Sequence, residues 1–245
     1  MRPIGPEIDC GVRVPTSVGV MILSNAVLFP GAMLPLRIFE PRYRRMLQDA
    51  LASHRMFCVA MQRPGNMRET PLPVAGLGVI RYAVRDEDGT SRLLLQGLAR
   101  VELGRTKQYK PYRQQAIRPL LCEKEDGETP EVDALRFKAL ELAERRLATS
   151  APVSMDLFQS LAREGLDIGP VEACMRSLRS IANPGQLADV LALLLVEDAF
   201  FRQLILQAHE VAHRFRSLVY ILGEGLPGTD PMPPPEGTGL GGEAA

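Results

Sequence analysis

Two kinds of hydrophobic spacing divide the chain. From residue 18 to residue 121 apolar residues come in short runs, broken at Pro30-Gly31, Pro35, Pro64-Gly65, Pro71, Pro73, Gly76, Gly78, Gly89, Gly97 and Gly104. Such punctuation suits short strands and turns. Val79 to Val84 and Ser91 to Leu95 flank Asp88-Gly89, a tight-turn pair that predicts a hairpin. Glu40 to Ser53 departs from the pattern. There Tyr43, Met46, Leu47, Ala50 and Leu51 recur at helical spacing, so one helix interrupts the strands.

From Pro130 to Leu222 the spacing is helical. Thr129-Pro130-Glu131 offers an N-cap followed by Pro in the first turn, and Leu135, Leu142, Ala143 and Leu147 form a stripe behind it. Further helices are predicted from Ser154 to Arg163, from Pro170 to Ile181 and from Asn183-Pro184 onward. A last long helix is predicted from Asp198 to Leu222, with Phe201, Leu204, Ala208, Val211, Phe215, Leu218 and Leu222 as its stripe. Residues 1–17 read as a flexible arm. Residues 122–130, apolar-free from Glu123 to Thr129, read as a linker, and the Gly- and Pro-rich residues 224–245 as a disordered tail. The expected fold is α+β: a barrel-like, mostly antiparallel β-domain over 18–121 with one short helix, then a helical bundle over 131–223.

Composition narrows the function classes. Hydrophobic residues make up 46% of the 245 and charged residues 24%, which suffices for a sizeable core. Lys plus Arg equals Asp plus Glu at 29 each, so no global field draws in a polyanion, which argues against a dedicated nucleic-acid binder. Cys10, Cys58, Cys122 and Cys174 form no CxxC pair and read as free thiols of a reducing cytoplasm. The first residues lack a signal-peptide pattern. Val190 to Val196, the most apolar stretch, is too short to span a bilayer and reads as a buried helix. The expectation is a cytoplasmic chain with no membrane partner.

Candidate chemistry is sparse. His209-Glu210-Val211-Ala212-His213 spells H-E-x-x-H on the predicted last helix, the pattern in which two histidines one turn apart hold zinc. Arg216 and Val219 stand where the long form needs Gly and His. The helical wheel puts both histidines opposite the apolar stripe, so the expected reading is two solvated histidines and no metal. No G-x-x-x-x-G-K-[ST] loop occurs, and Gly223-x-Gly225-x-x-Gly228 follows a helix rather than a strand. With three histidines no Ser–His–Asp or Cys–His set assembles. No catalytic residue, cofactor or enzymatic activity is expected. Arg37, Arg42, Arg44, Arg45, His54 and Arg55 make a local basic patch, read as a solvated face or, more sharply, as a carboxylate or phosphate site.

One segment carries more. Val27-Leu28-Phe29-Pro30-Gly31, Leu34-Pro35-Leu36, then Ile38-Phe39-Glu40-Pro41-Arg42-Tyr43 with Met46 closely resembles the opening signature of Lon-type amino-terminal domains. Gly76-Leu77-Gly78-Val79-Ile80 resembles that family's following strand, and Leu93 to Val101 its L-x-x-x-G-x-x-R strand pair. Asn183-Pro184-Gly185-Gln186-Leu187-Ala188-Asp189 resembles the start of a helix in its helical half. The match runs in order over about residues 18 to 222. The resemblance implies a substrate-recognition or adaptor module of Lon type, standing alone without the ATPase and peptidase parts. It implies non-catalytic binding of unfolded or extended protein segments, with a protease or chaperone as a further partner. The predicted binding surface is Met33, Leu34, Pro35, Phe39, Arg42 and Tyr43, with Leu28, Phe29 and Leu36 as core. The alternatives are an RNA-binding barrel module and a zinc metallopeptidase through His209, Glu210 and His213.

Overall fold

The computed structural model describes residues 4–8, 12–65, 69–120, 129–149 and 170–224. The fold is mixed α+β, and the chain divides into two compact units, Met1–Leu121 and Cys122–Ala245.

The first unit holds β1 (Ile4–Ile8), β2 (Val12–Pro15), β3 (Ser17–Leu23), β4 (Met33–Ile38), α1 (Pro41–Leu51), β5 (Met56–Met61), β6 (Val74–Arg85), β7 (Ser91–Gln108) and β8 (Gln114–Pro119). Six strands follow the order β4-β7-β6-β5-β3-β8, and a further β7–β8 pairing closes five of them into a barrel. Only β3 and β5 run parallel; the other pairs are antiparallel. Closure depends on the length of β7. Its first third pairs with β4, its second half with β8, and β6 runs along its other side.

Alternation fills the barrel. Val18, Val20 and Ile22 of β3, Met56, Cys58 and Ala60 of β5, Ala75 and Leu77 of β6, and Ala99 and Val101 of β7 form one buried cluster. The three alanines suit a narrow interior. Burial pushes the Cys58 thiol well above its ordinary range, so it stays protonated. Val14 of β2 joins the same cluster. Residues expected to form a loose arm therefore pair as an antiparallel ribbon, β1 with β2. The burial of one side chain, Val14, is a constraint that Pro and charge in the local sequence conceal.

Two glycines seat the signature segment. A Cβ at Gly76 would lie 2.0 Å from the Leu28 carbonyl oxygen, and one at Gly97 would lie 2.0 Å from that of Phe29. The Leu28-Phe29 backbone thus rests directly on β6 and β7, where only a strand without a side chain admits it. Leu28 and Phe29 are buried, as expected of core, whereas Leu36 is half-buried. Helix α1 begins at Pro41, where a missing N–H costs little, and buries Tyr43, Met46, Leu47 and Ala50. The predicted hairpin is present, with Gly89 at φ 76° in its turn.

The second unit holds α2 (Pro130–Thr149), α3 (Pro170–Ser180), α4 (Pro184–Leu195), α5 (Ala199–Gln207) and α6 (Val211–Gly223). Helix α2 packs on α3, α4 and α6, and α6 also packs on α4 and α5. The Asn183 side chain caps α4 by accepting from the Gln186 N–H at 2.8 Å, and Asp198 caps α5. The predicted 154–163 helix and residues 225–245 of the predicted tail lie outside the described residues. The single long last helix is corrected: it breaks at Ala208–Glu210. Arg214 folds back across the break, donating to the Ala208 carbonyl at 2.9 Å and to the His209 carbonyl at 2.9 Å. These contacts give the carbonyls at the end of α5 a partner outside the helix, which a wheel drawn through one continuous helix cannot represent. The break also rephases the buried stripe: α5 buries Gln203, Ile205 and Leu206, leaving Phe201 and Leu204 half-buried.

Candidate functional site

Strand β4 is where the predicted binding residues begin, and its alternation separates them. Gly97 N–H donates to the Ala32 carbonyl at 2.8 Å, so by alternation the backbone groups of Leu34 and Leu36 also face β7. Those of Met33, Pro35 and Arg37 face the opposite edge, where β4 has no strand neighbour among the described residues. Pro35 therefore loses no ladder bond, which is why proline is tolerated there.

Side chains divide by the same period. Met33, Pro35 and Arg37 are exposed, while Ile38 is buried and Leu34 and Leu36 are half-buried on the other face. Cross-strand register extends the exposed face. Pro35 pairs with Leu94, and Leu94 with Tyr82; Met33 pairs with Gln96, and Gln96 with Val79. Directly paired residues share a face. A register shift between Ile80 and Tyr82 leaves Arg81 as an extra residue, so Arg81 and Tyr82 are both exposed in succession. Val79 packs against the barrel core. The open face of β4–β7–β6 thus leads from Met33, Pro35, Leu94 and Tyr82 towards the barrel interior. Met33 is 46% exposed, Tyr82 63% and Phe39, just past the end of β4, 62%.

The predicted set fares unevenly against this geometry. Met33, Pro35 and Phe39 are exposed. Leu34 sits on the opposite face of the strand. Tyr43 is buried, at 5% exposure, and its hydroxyl is engaged with the Ile22 backbone. Tyr43 is therefore corrected from a contact residue to an anchor of α1, because helical spacing aims it inward with Met46, Leu47 and Ala50. Arg42 is partly exposed but held by the Glu40 and Glu69 carboxylates and stacked over the Tyr43 ring at 4.6 Å. Tyr82 and Leu94 escaped the sequence reading. They join the face only through register and a bulge, which no local pattern announces.

The family model for the ATP-dependent protease La (LON) substrate-binding domain matches residues 17–224. The chain belongs to this family. Among curated relatives, Lon protease of Dictyoglomus thermophilum is 24% identical over 219 residues, 88% of this chain and 25% of that protein. Lon protease of Parabacteroides distasonis is 29% identical over 153 residues, 61% of this chain and 19% of that protein. The chain thus spans about a quarter of the length of the curated relatives it matches, or less. Among solved structures, the N-terminal domain of Mycobacterium avium complex Lon protease has a TM-score of 0.60 at 20% identity, covering 86% of this chain and 100% of that one. The Lon N-terminal domain protein from Xanthomonas campestris has a TM-score of 0.55 at 20% identity, covering 83% and 97%.

Within this Lon substrate-binding domain the rival sites change character. The H-E-x-x-H residues do not share one helix: His209 and Glu210 lie in the break, and only His213 is inside α6. Among the described residues no group of three or more His, Cys, Asp or Glu side chains is placed to hold a metal. The Arg37–Arg55 patch is largely neutralised. Arg37 pairs with Asp88, Arg42 with Glu40 and Glu69, and Arg45 with Asp49, while Arg55 donates to the Ile80 carbonyl. Arg42 hydrogen bonding holds the Glu69 carboxyl below the usual range. Among the described residues no helix is long and apolar enough to cross a membrane.

Proposed function

We propose that this Lon substrate-binding domain captures extended apolar segments of client proteins on the open face of β4–β7–β6, as a recognition or adaptor module that serves a protease or chaperone. The observation that carries this reading is the row Pro35–Leu94–Tyr82, flanked by Met33 and Phe39. Exposed Met and aromatic side chains on a rigid sheet supply adaptable and anchoring contacts respectively. Capture rests on the face more than on the β4 edge. Pro35 removes a donor from that edge and Arg37 places a charge beside it, two devices that discourage strand addition. The domain contributes binding and no bond-breaking step.

Binding of an uncharged, Leu- and Phe-rich fluorescent peptide, read by anisotropy, tests the proposal. Tyr82→Ala and Met33→Ser should each weaken binding, by about 1 kcal/mol or more for Tyr82. Wild-type affinity in the double variant would remove the face from consideration.

A further inference from the structure

Away from the open face, the tip of the β7–β8 hairpin is chemically one-sided. Between Glu102 and Glu123 the chain carries Arg105, Lys107, Lys110, Arg113 and Arg118 and no acidic residue. Arg118 is paired with Glu102, and Arg113 donates to the Glu69 carbonyl at 2.8 Å while stacking over the Tyr109 ring at 5.0 Å. Arg105, Lys107 and Lys110 are exposed and have no carboxylate partner among the described residues. In the Arg37–Arg55 patch, by contrast, Arg37, Arg42 and Arg45 each meet a carboxylate. Arg105 and Lys107 both lie where the β7–β8 register shifts, between Leu103 and Thr106 and between Thr106 and Gln108, and both are exposed there.

Beside them a depression of about 490 Å³ opens between α1 and the hairpin, lined by Arg45, Asp49, Gln108, Pro111, Tyr112 and Gln114. Gln108 and Gln114 are paired across the strands, and carboxamides match peptide groups as both donors and acceptors. Asp49 accepts from the Tyr112 hydroxyl at 2.9 Å and pairs with Arg45, which puts a carboxylate in the wall. With Asp49 matched by Arg45, the wall carries no net charge from this pair, which suits a neutral peptide backbone in the depression with its side chains left to meet the rim cations.

We propose that this hairpin tip is a second binding site, for extended acidic peptide segments, with Gln108 and Gln114 engaging the backbone and Arg105, Lys107 and Lys110 the carboxylates. The proposal rests on the reading of the domain as a protein-binding module, and adds a charge preference to it. A client carrying an apolar stretch and an acidic stretch would then engage two sites of one unit.

The test uses the full chain and three fluorescein-labelled probes: a peptide alternating Glu and Ser, its Gln-for-Glu counterpart, and a single-stranded RNA. The Glu peptide should bind roughly tenfold more tightly than the Gln peptide at low salt, and the difference should shrink as salt rises. Arg105→Gln, Lys107→Gln and Lys110→Gln together should abolish the difference without shifting the melting temperature. Gln108→Ala with Gln114→Ala should weaken both peptides alike. Equal binding of the Glu and Gln peptides by wild type would overturn the proposal, as would tighter binding of the RNA than of the Glu peptide. The apolar probe separates this site from the open face. Apolar binding lost in Tyr82→Ala but kept in the hairpin triple variant leaves two independent sites. Apolar binding intact in Tyr82→Ala with Met33→Ser removes the open face and leaves the acidic-peptide result to stand or fall alone.

Discussion

The Tyr43 hydroxyl stands in for a missing strand at Ile22: it accepts from the Ile22 N–H at 3.1 Å and donates to the Ile22 carbonyl at 3.3 Å. Val20 N–H, two residues earlier, donates to the Arg113 carbonyl on the β8 side at 2.9 Å, and the ladder with β8 goes no further. Both backbone groups of Ile22 face that same side and would be buried without partners. One phenol satisfies both and pins α1 to the barrel.

Tyr43→Phe keeps the packing and removes only the hydroxyl. It should cost about 1–3 kcal/mol, the penalty for stranding buried backbone groups. Thermal melts check this, and apolar-peptide binding by the folded variant should be unchanged. A Phe variant that melts normally and binds poorly would return Tyr43 to the contact surface.

Gly76→Ala and Gly97→Ala each drive a methyl onto a backbone carbonyl oxygen that has no room to move aside. Each should destabilise by about 3 kcal/mol or more. Gly104→Ala is the control: its added Cβ meets nothing closer than 3.5 Å. Denaturant melts of the three variants should separate the first two cleanly from the third.

Arg214, only 2% exposed, faces Asp189 at 4.0 Å and holds the two carbonyls of the α5–α6 break. A Cβ at Gly185 would meet its guanidinium at 3.2 Å. Arg214→Ala should cost about 3–5 kcal/mol, because it leaves a buried carboxylate and two carbonyls without this partner. Amide exchange should rise first around 207–211. Unchanged exchange there would show that the break holds without the arginine.

The Arg42–Glu69 pair predicts a modest acid sensitivity. Glu69 titrates below its ordinary range, chiefly through its hydrogen bonds to Arg42. A carboxyl with a depressed folded pKa stabilises fully above its unfolded value of ~4.3 and loses that contribution as pH falls through the lower folded value. Both partners are partly exposed, so screening keeps the effect under ~1 kcal/mol. The melting-temperature gap between wild type and Glu69→Gln should be present near neutral pH and close in acid. A gap that persists in strong acid would assign it to packing.

Much of the architecture is written locally. The Asp88-Gly89 turn, Pro41 at the start of α1 and the Asn183 cap each arise from interactions within a few residues, so the local sequence alone reveals them. The signature residues gave the family for a related reason. Leu28-Phe29-Pro30-Gly31 together with Gly76 and Gly97 encodes one close backbone contact, within the span that the family model matches.

The tertiary structure decided which side of each element meets water and what lies beside it. Alternation showed that Met33 and Leu34 point apart, but the closed barrel determined which of them is exposed. Tyr82 and Leu94 meet Pro35 through register across three strands and a bulge, a relation between residues far apart in sequence. Tyr43 and Arg214 carry the same lesson. Tyr43 reads from the sequence as a contact residue, and nothing in the local sequence marks Arg214 as buried. Each is instead taken up by backbone groups brought to it by another segment, Ile22 and Ala208–His209, because a buried N–H or carbonyl without a partner costs more than the ordering of one side chain.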